Sequence, residues 1–513
     1  MKKYKLIFIF TILLCLFFNL SINYSKHKEL PSEGWSRNFE INKYMVNDHN
    51  STSYEKRYDS IKIHNDIPYY LYVENQEIFL KKFDKDFNLI DEVISFTVDN
   101  NTTHYLDLNI VSENNIYIYI LDNKKNLSTY HFDGNKITKN DINIDVSSFK
   151  ISKNNLYYVQ SGDLYKNNEL FKKDISTKFD VLEELENTFI LFIDKSSTNN
   201  DINVYSKESN SVENIYSLPK TPNISIKHIY INGYEEKITA FIQLSNTNNS
   251  ETTIKAFSFD KYFPGNIEKI MDKKIYCYNN SLNISNGDIL VSDVDNNFGG
   301  YPNLFIGNIL DKSNKRLSIS KKIKFNIDYF NIGELNYVKW DEFDNDSVVS
   351  NIASNNKNII EKSLKIDSSK LIDIVLNSLS SYLPLFYLIL IPFTAFFIPV
   401  IIFVMIMSMF NLGKLENNVG KTLTSILVVH NLSKLVFFVR NVILNKDFIL
   451  SLPVFLQSYL FVIGIFIILL LLGIIFIRTL RREEENFHFF KYYIYYMIFD
   501  ILSFSMILYS NFI

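Results

Sequence analysis

The apolar stretch 421–446 carries His430, Lys434 and Arg440 inside its apolar run, and Asn441 follows directly. A helix advances about 100° per residue, so His430, Lys434 and Asn441 fall within a narrow arc, and Arg440 extends that arc on one side. An imidazole and an ammonium in an apolar surrounding could hold a proton or bind an ion. The spacing therefore predicts a polar stripe along a helix that is otherwise apolar.

Asp500 is the expected partner of this stripe. Lys434 and Asp500 lie at similar distances from the starts of their apolar segments, which are expected to run in the same direction. A charge near the centre of a bilayer costs at least a few kcal/mol, so it needs a partner. We expect a mid-membrane ion pair between Lys434 and Asp500 with His430 nearby, as a proton or ion path would use. The alternative is a pair that only fixes helix packing, with Arg440 reaching outward.

A group of oxygen ligands lies in the polar part of the chain. Asp293, Asp295 and Asn297 alternate before Gly299 and Gly300, an arrangement similar to a carboxylate-rich calcium loop. The glycine comes one position late for the EF-hand pattern, and no glutamate follows at the required spacing. We expect a plain polar turn here, and Ca²⁺ is the only cofactor that the sequence suggests.

The densest acidic cluster comprises Asp341, Glu342, Asp344 and Asp346. We expect a solvated acidic loop rather than a divalent-cation site. The sequence has no nucleophile elbow, no phosphate-binding loop and no paired Cys-x-x-Cys, so it indicates no class of enzyme.

The segment 59–366 has the pattern of short strands, which are rich in Ile, Tyr, Phe and Val and are separated by polar clusters. Strand pairs recur at spacings typical of four-stranded propeller blades. The six clearest pairs are Tyr69 to Val73 with Ile78 to Phe83, Ile116 to Leu121 with Leu127 to Phe132, Leu156 to Val159 with Leu164 to Tyr165, Phe189 to Ile193 with Ile202 to Tyr205, Ile238 to Leu244 with Thr253 to Phe259, and Asp288 to Ser292 with Asn303 to Gly307. A weaker unit follows between Asn336 and Ile366.

Several of these units share one order of features: a polar turn that ends in Asn, a Tyr-rich strand, a second turn and a strand with Leu-Tyr or a similar pair. NNIYIYILDNKKNLSTYHFDG and NNLYYVQSGDLYKNNEL are the best examples. These segments resemble blades of the WD40-like or TolB-like β-propeller class, although no Trp-Asp dipeptide repeats. The resemblance implies an all-β propeller of six or seven blades that binds its ligand through loops at the channel face. A large β-sandwich or a β-solenoid is the alternative.

Apolar segments occupy both ends of the chain. Residues 1–24 have a basic start and an apolar run, which is typical of a signal anchor or signal peptide; no small-x-small cleavage site follows, which favours an uncleaved anchor. We interpret 25–58 as a linker and 367–382 as an amphipathic linker lying on the membrane surface. The remainder, 383–513, predicts an α-helical transmembrane domain of four helices, at 383–410, 421–445, 452–477 and 487–509.

Basic residues of short loops predict the orientation of these segments, because Lys and Arg prefer the cytoplasmic side. If 421–445 spans, the cluster Arg478, Arg481 and Arg482 lies inside, together with Lys414 and Lys421. If 421–445 lies on the surface, that cluster is outside. The rule favours five crossings, a multi-pass protein of the cell membrane and an extracytoplasmic propeller.

Bulk composition narrows the class of partner. A net charge of −3 and a pI of about 6.3 argue against a nucleic-acid partner, which would require a concentrated basic face. The two cysteines, Cys15 and Cys277, allow no disulfide framework, as in a bacterial exported domain that does not rely on disulfides.

Together these features favour a binding or sensing module at the cell envelope, with the lipid bilayer and a protein, peptide or cell-wall ligand as partners. An accessory subunit of a membrane transport or export complex is the alternative function. A third candidate, an exported propeller enzyme, requires a convergent acidic pair in the central channel.

Overall fold

The structure is a computed structural model that describes residues 2–45, 57–98, 103–175, 178–184, 187–195, 198–234, 236–246, 251–262, 265–276, 282–285, 288–295, 301–308, 314–320, 322–344, 346–380, 390–444, 457–484 and 488–508. The chain divides into two compact units. One comprises Leu30–Leu364, and the other combines Met1–Glu29 with Lys365–Ile513.

The unit Leu30–Leu364 is a β-propeller. Strand β1 (Phe39–Met45) comes first in the chain, and the remaining strands follow blade by blade. Blades 1 to 3 contain β2 (Asp59–His64), β3 (Ile67–Glu74), β4 (Glu77–Phe83), β5 (Leu89–Thr97); β6 (Thr103–Ser112), β7 (Asn115–Asp122), β8 (Leu127–Phe132), β9 (Ile137–Asn143); β10 (Val146–Ser152), β11 (Asn155–Gln160), β12 (Asp163–Lys166) and β13 (Glu169–Lys172).

Blades 4 to 7 continue the same order. They contain β14 (Phe179–Glu184), β15 (Asn187–Lys195), β16 (Asn199–Ser206), β17 (Ser211–Pro219); β18 (Ile224–Tyr234), β19 (Lys237–Asn246), β20 (Glu251–Asp260), β21 (Glu268–Tyr276); β22 (Leu282–Ser285), β23 (Asp288–Asp295), β24 (Tyr301–Asn308), β25 (Asn314–Arg316); β26 (Lys324–Ile332), β27 (Leu335–Asp344) and β28 (Ser347–Ser354). Within the described residues, these strands and β1 form seven four-stranded antiparallel sheets.

The strand pairs expected from the sequence are the two central strands of each blade, and the propeller prediction is confirmed with seven blades. Alternating apolar residues of the central strands pack between neighbouring blades, as Leu71 and Leu80 of blade 1 do with Leu106 and Ile118 of blade 2. Tight turns join the first two strands of a blade. Asn65 and Asp66 both have positive φ there, as a hairpin turn of the primed type requires.

The propeller ring is closed by β1, which supplies the outer strand of blade 7. It pairs antiparallel with β28, from Phe39 opposite Ile352 to Met45 opposite Ser347. The segment 25–58, interpreted from sequence as a linker, therefore contributes a strand. Closing the ring in this way removes the open edges that an unclosed row of blades would expose.

The chain enters and leaves the propeller at the same face. The chain enters β1 beside the end of β28, at the edge that also carries the turn between β26 and β27. Helix α2 (Lys357–Ser363) follows at this edge, where Asn356 accepts a hydrogen bond from the Asn358 amide and caps the helix. The opposite face carries the turns between the second and third strands of each blade.

The second unit is helical. It contains α1 (Lys3–Lys28), α3 (Ser368–Ser380), α4 (Leu390–Asn417), α5 (Val419–Phe438), α6 (Tyr459–Glu483) and α7 (Phe489–Leu508). A π-helical segment, Val439–Ile443, continues α5. Among the described residues, three helices are long and apolar enough to cross a membrane: Lys3–Lys28, Val419–Ile443 and Tyr459–Glu483. Phe393–Met409 within α4 is a shorter apolar stretch.

Two helices differ in their bounds from the expected segments. Helix α4 continues to Asn417, where the sequence suggested a polar loop, and its expected start at 383–389 lies outside the described residues. Helix α6 continues past Ile477 through its arginines to Glu483. Arg and Glu are good helix formers, and cations are favoured at a helix C-terminus, so charge alone does not end the helix.

Ring contacts give the relative directions of the helices. Tyr4 of α1 packs on Phe476 of α6, and Phe18 packs on Phe461, so α1 and α6 are antiparallel. Phe438 of α5 stacks on Phe466, while Gly420 lies beside Arg481, so α5 is also antiparallel to α6. Contacts of Phe499 with Phe476 and of Phe504 with Phe466 give α7 the same direction as α5.

Candidate functional site

Helices α5 and α7 bring together the ionisable residues that the sequence singled out. His430 and Lys434 lie one turn apart on the buried face of α5, because residues four apart share a helix face. Lys434 Nζ lies 2.6 Å from Asp500 Oδ1, and His430 Nε2 lies 3.0 Å from Asp500 Oδ2. The expected contact between Lys434 and Asp500 is present. These three side chains are called the helix ion cluster below.

Tyrosine hydroxyls extend the helix ion cluster. Tyr493 Oη lies 3.1 Å from His430 Nδ1. One turn below, the Tyr496 hydroxyl donates to Asn431 Oδ1 at 3.0 Å. Both ring nitrogens of His430 and both carboxylate oxygens of Asp500 therefore have partners, as buried polar groups require.

Aromatic rings enclose the helix ion cluster. Its three side chains are at most 1% exposed. Lys434 Nζ lies 5.1 Å from the ring centre of Phe504 and 5.5 Å from that of Phe466, which is within cation–π range. Phe396 of α4 meets the His430 ring edge-on. The charges are consequently held in an apolar surrounding, where removal of one partner is costly.

Arg440 and Asn441 do not join the cluster, and the narrow arc expected from a regular α-helix does not continue that far. Both lie in the π-helical segment, which has more residues per turn and so rotates the later positions away from the buried face. Arg440 is exposed, and Asn441 donates to the carbonyl of Phe437 on its own helix. π-Helical segments inside helices are frequent at functional sites.

The residues of the calcium hypothesis lie partly in a strand of blade 6. Asp293 and Asp295 lie in β23, where their backbones pair with Asn303 and Tyr301 of β24. Asn297 lies outside the described residues. Within the part of the chain that the structure describes, no group of three or more His, Cys, Asp and Glu could hold a metal ion.

The propeller channel carries charged residues on the inner strands or directly beside them. Arg57 pairs with Asp328 of blade 7 at 2.8 Å. Lys62 lies 3.4 Å from Asp107 of blade 2. Burial alone would raise the pKa of Asp107, but the positive charges of Lys62 and Arg57 outweigh burial and hold that pKa below its usual value.

The same channel layer continues across blades 3 to 5. Lys150 lies 3.0 Å from Asp180 of blade 4 and 6.0 Å from the ring centre of Tyr230 of blade 5. Asp180 is the largest cause of the raised pKa of Lys150. These pairs join neighbouring blades by opposite charges.

A second fully buried ion cluster, called the propeller ion cluster below, lies where blade 7 meets blade 1. Lys339 Nζ contacts Asp59 and lies 2.9 Å from Asp341, and all three side chains are 0% exposed. Ser350 donates to Asp341 at 2.7 Å, and the Tyr70 hydroxyl donates to Asp59 at 2.8 Å. Burial, followed by the negative charge of Asp59, raises the pKa of Asp341 to about 8.

The expectation of a solvated acidic loop at 341–346 is wrong for its first two residues. Asp341 and Glu342 are buried in β27, and Glu342 accepts from the Trp340 indole at 3.0 Å. Asp344 pairs with Lys43 and Lys322, and Asp346 is exposed. Asp59 and Asp341 are two convergent carboxylates, but they enclose Lys339 and are sealed from solvent.

Fold and site together define a class: a seven-bladed β-propeller attached at both ends to a unit of apolar helices that buries an ion cluster. No protein-family model matches the sequence, and no curated protein matches it either.

The chain is similar to many solved structures, of which three follow. A crystal structure of BBS1N in complex with ARL6DN, soaked with lead, matches with a TM-score of 0.39 at 7% identity, covering 62% of this chain and 97% of that chain. A protein of unknown function from Dyadobacter fermentans DSM 18053 matches with a TM-score of 0.35 at 7% identity, over 63% of this chain and 99% of that one. Drosophila Plexin A in complex with Semaphorin 1b matches with a TM-score of 0.36 at 11% identity, over 61% and 87%.

Proposed function

We propose that this chain is a multi-pass protein of the cell membrane whose propeller is an extracytoplasmic binding or sensing module for a protein, peptide or cell-wall polymer. The observation that carries the proposal is the composition of the helical unit: α1 and residues 365–513 form one compact unit, so both ends of the propeller are attached to the same helices. A module attached at both ends can pass a change on binding to those helices, whereas a single tether only displays it.

The outward residues of the helical unit support a membrane location. Large apolar side chains are exposed along the helices, including Met405 of α4 at 61%, Val436 of α5 at 67% and Leu460 of α6 at 82%. An apolar surface of this extent around a bundle of helices fits a lipid environment rather than water.

The distribution of basic residues supports the orientation. Lys3 and Tyr4 at the start of α1 donate backbone hydrogen bonds to Glu483 at the end of α6. Gly420 at the start of α5 lies beside Arg481. The lysines at the start of α1, Lys421 and the arginines of α6 therefore lie at one end of the helical unit, which would be the cytoplasmic end. In this orientation α5 crosses the bilayer, and the chain crosses five times.

The propeller face opposite the two chain connections is the proposed binding face. It carries the turn between β3 and β4, with Gln76 exposed, and the connection from β9 to β10, where Ile144 is 77% exposed. Propeller ligands commonly bind loops at such a face. The channel enzyme loses support, because Lys339 occupies the space between the acidic pair.

One observation favours a second function, that of a subunit of a transport or export complex. The helix ion cluster places ionisable groups inside the apolar bundle, as ion or proton movement would require. Variants of His430 and Asp500 separate the two functions: loss of transport with ligand binding intact supports the transport subunit and contradicts the sensor.

Cysteine labelling tests the orientation. We would place single cysteines at Lys421 and Leu444, both exposed, in a background with Cys15→Ala and Cys277→Ser. An impermeant thiol reagent added to intact cells should label the cysteine at 444, and should label that at 421 only after permeabilisation. Labelling of both from outside, or of neither, would return α5 to the membrane surface.

Photocrosslinking in the native membrane tests the binding face. A photoreactive residue at Gln76 or Ile144 should capture a defined envelope component. Matched controls at Asn65 and Lys153, exposed on turns of the face that carries the chain connections, should not. Equal capture from both faces, or none from either, would contradict the proposed binding face.

A further inference from the structure

We propose that Asp500 is the anionic half of a site for one cation, which the Lys434 ammonium fills in this structure and which a proton on His430 fills when Lys434 is neutral or absent. The helix ion cluster thus holds one positive charge, on Lys434 or on His430. This inference goes beyond the proposed function, and it does not depend on what the propeller binds.

The first argument is the use of the carboxylate. Asp500 presents one oxygen to Lys434 at 2.6 Å and the other to His430 at 3.0 Å. His430 and Lys434 therefore contact different oxygens of the same carboxylate, and both contacts exist at the same time. One negative charge can balance only one of the two bases.

The second argument is the hydrogen-bond pattern around His430. With a neutral imidazole, Nε2–H donates to Asp500, and Nδ1 accepts from the Tyr493 hydroxyl at 3.1 Å. This arrangement satisfies every polar atom of the three side chains. A proton on Nδ1 would force Tyr493 to accept instead of donate, and its own O–H would lose this partner. With Lys434 charged, the pattern therefore assigns His430 to the neutral form.

The third argument is the surrounding of the cluster. From α4 it is faced by Phe396, from α6 by Phe466, and from α7 by Phe504 and the hydroxyls of Tyr493 and Tyr496; Asn431 of α5 binds Tyr496. From α1, the Cys15 thiol bonds to the Ser503 carbonyl at 3.8 Å, three residues along α7 from Asp500. None of these described groups is a further carboxylate, so a second positive charge would be unbalanced in an apolar surrounding.

The exchange is balanced in protons. Lys434 releases one proton from its ammonium to bulk water and becomes a neutral amine. His430 takes one proton from bulk water at Nδ1, and Tyr493 reverses its hydrogen bond from donor to acceptor. Asp500 remains ionised throughout, and the net charge of the helix ion cluster stays at zero.

Nitrogen NMR of the full chain in lipid nanodiscs tests the site. Histidine labelled with ¹⁵N reports the protonation of each ring nitrogen, and the signals that disappear in His430→Gln belong to His430. In the parent protein at neutral pH, His430 should show one protonated and one unprotonated nitrogen. In Lys434→Met, which removes the ammonium, the unprotonated signal should be lost, because Asp500 then holds the proton on His430.

Two further variants keep the outcome interpretable. Lys434→Met combined with Asp500→Asn should restore the neutral pattern, because no anion remains to hold a proton. Arg440→Gln removes an exposed cation of the same helical segment and should leave the His430 signals unchanged.

If His430 keeps an unprotonated nitrogen in Lys434→Met at neutral pH and at pH 5, the one-cation site is overturned. If Lys434→Met does not fold, a doubly protonated His430 beside charged Lys434 in the parent protein overturns it equally. Labelling and crosslinking results for the propeller are unaffected by either outcome.

Discussion

The two buried ion clusters of this protein have opposite stoichiometry. The propeller ion cluster places one lysine, Lys339, between two carboxylates, whereas the helix ion cluster places one carboxylate, Asp500, between two nitrogen bases. In each case one group is in excess of what the opposite charge can balance. In the propeller, burial raises the pKa of Asp341 to about 8, so the excess acid holds a proton at neutral pH. In the helical unit, the excess base is His430, which shares Asp500 with Lys434.

The surroundings of the two ion clusters explain why one contains a surplus acid and the other a surplus base. The propeller ion cluster lies among strands that supply hydroxyl donors, with Ser350 and Tyr70 both bonded to its carboxylates. The helix ion cluster lies among phenylalanines, and the Tyr493 hydroxyl contacts His430. A site rich in donors can hold a surplus carboxylate, whereas a site walled by aromatic rings favours cations.

The largest effect is expected from Lys339→Met. Removing the lysine leaves the Asp59–Asp341 pair, which carries a negative charge at neutral pH, buried without a cation. Breaking a buried ion pair in this way costs about 3–5 kcal/mol. Urea denaturation of the full chain, followed by the fluorescence of buried Trp340, measures the loss. Lys43→Met is the matched control, because Lys43 pairs with Asp344 at the surface, where a pair contributes about 0–1 kcal/mol. Equal losses for the two variants would remove the distinction between buried and exposed pairs.

A charge swap tests the helix ion cluster by the same reasoning. Lys434→Asp and Asp500→Lys each create two like charges in contact and should lower the yield of folded protein strongly, by an effect on the order of 3 kcal/mol. The double variant restores opposite charges and should recover much of this loss. Size-exclusion profiles in mild detergent would measure assembly. A double variant no better assembled than either single variant would contradict a stabilising contact.

Gly473→Ala changes the packing around the helix ion cluster without touching a charge. A methyl group at Gly473 would lie 3.1 Å from Cε2 of Tyr496, the residue that holds Asn431. Overpacking of this kind costs about 1–3 kcal/mol, and thermal unfolding in nanodiscs should report it. Gly464→Ala on the same helix is the control, since nothing lies within 4 Å of its added methyl group. That variant should be neutral or slightly stabilising.

The last prediction concerns the pH dependence of the propeller. The pKa of Asp341 is raised from its ordinary value of 3.8 to about 8 in the folded chain. Between these values the folded chain holds a proton that the unfolded chain has released, so raising the pH lowers the free energy of unfolding. One such group contributes at most about 1.4 kcal/mol per pH unit. Asp341→Asn cannot titrate, so its urea midpoint should fall less than that of the parent between pH 5 and pH 8. Parallel curves would show that Asp341 is ionised throughout.

Local pattern was enough to predict the propeller, since each central hairpin is short in sequence and carries its own alternation. It did not reveal the last partner of the ring. FEINKYM of β1 looks like any short polar segment, and its pairing with β28 depends on a contact that sequence proximity does not suggest. The same separation hid the contact of Lys339 with Asp59, although Lys-x-Asp at 339–341 within an aromatic strand was a local sign of a buried pair.

In the helical unit, the position of a residue along its helix and the direction of that helix were enough to predict the contact between Lys434 and Asp500. Lys434 and Asp500 were matched by their positions along parallel helices, and one regular period placed His430 beside them. Arg440 and Asn441 were misplaced because the rule assumed an unbroken α-helix, while the chain widens into a π-helical segment at Val439. The π-helical segment depends on packing, and its residue types do not predict it.

The closure of the ring by β1 has a consequence for biosynthesis. Phe39 is translated about 300 residues before its partner Ile352, and contacts so distant in sequence form slowly. Until β28 is made, the backbone groups of β1 have no strand to pair with, while the first six blades are synthesised. The nascent chain thus has an exposed strand edge until its last blade is made, and folding factors that shield such edges during synthesis should bind it in this interval.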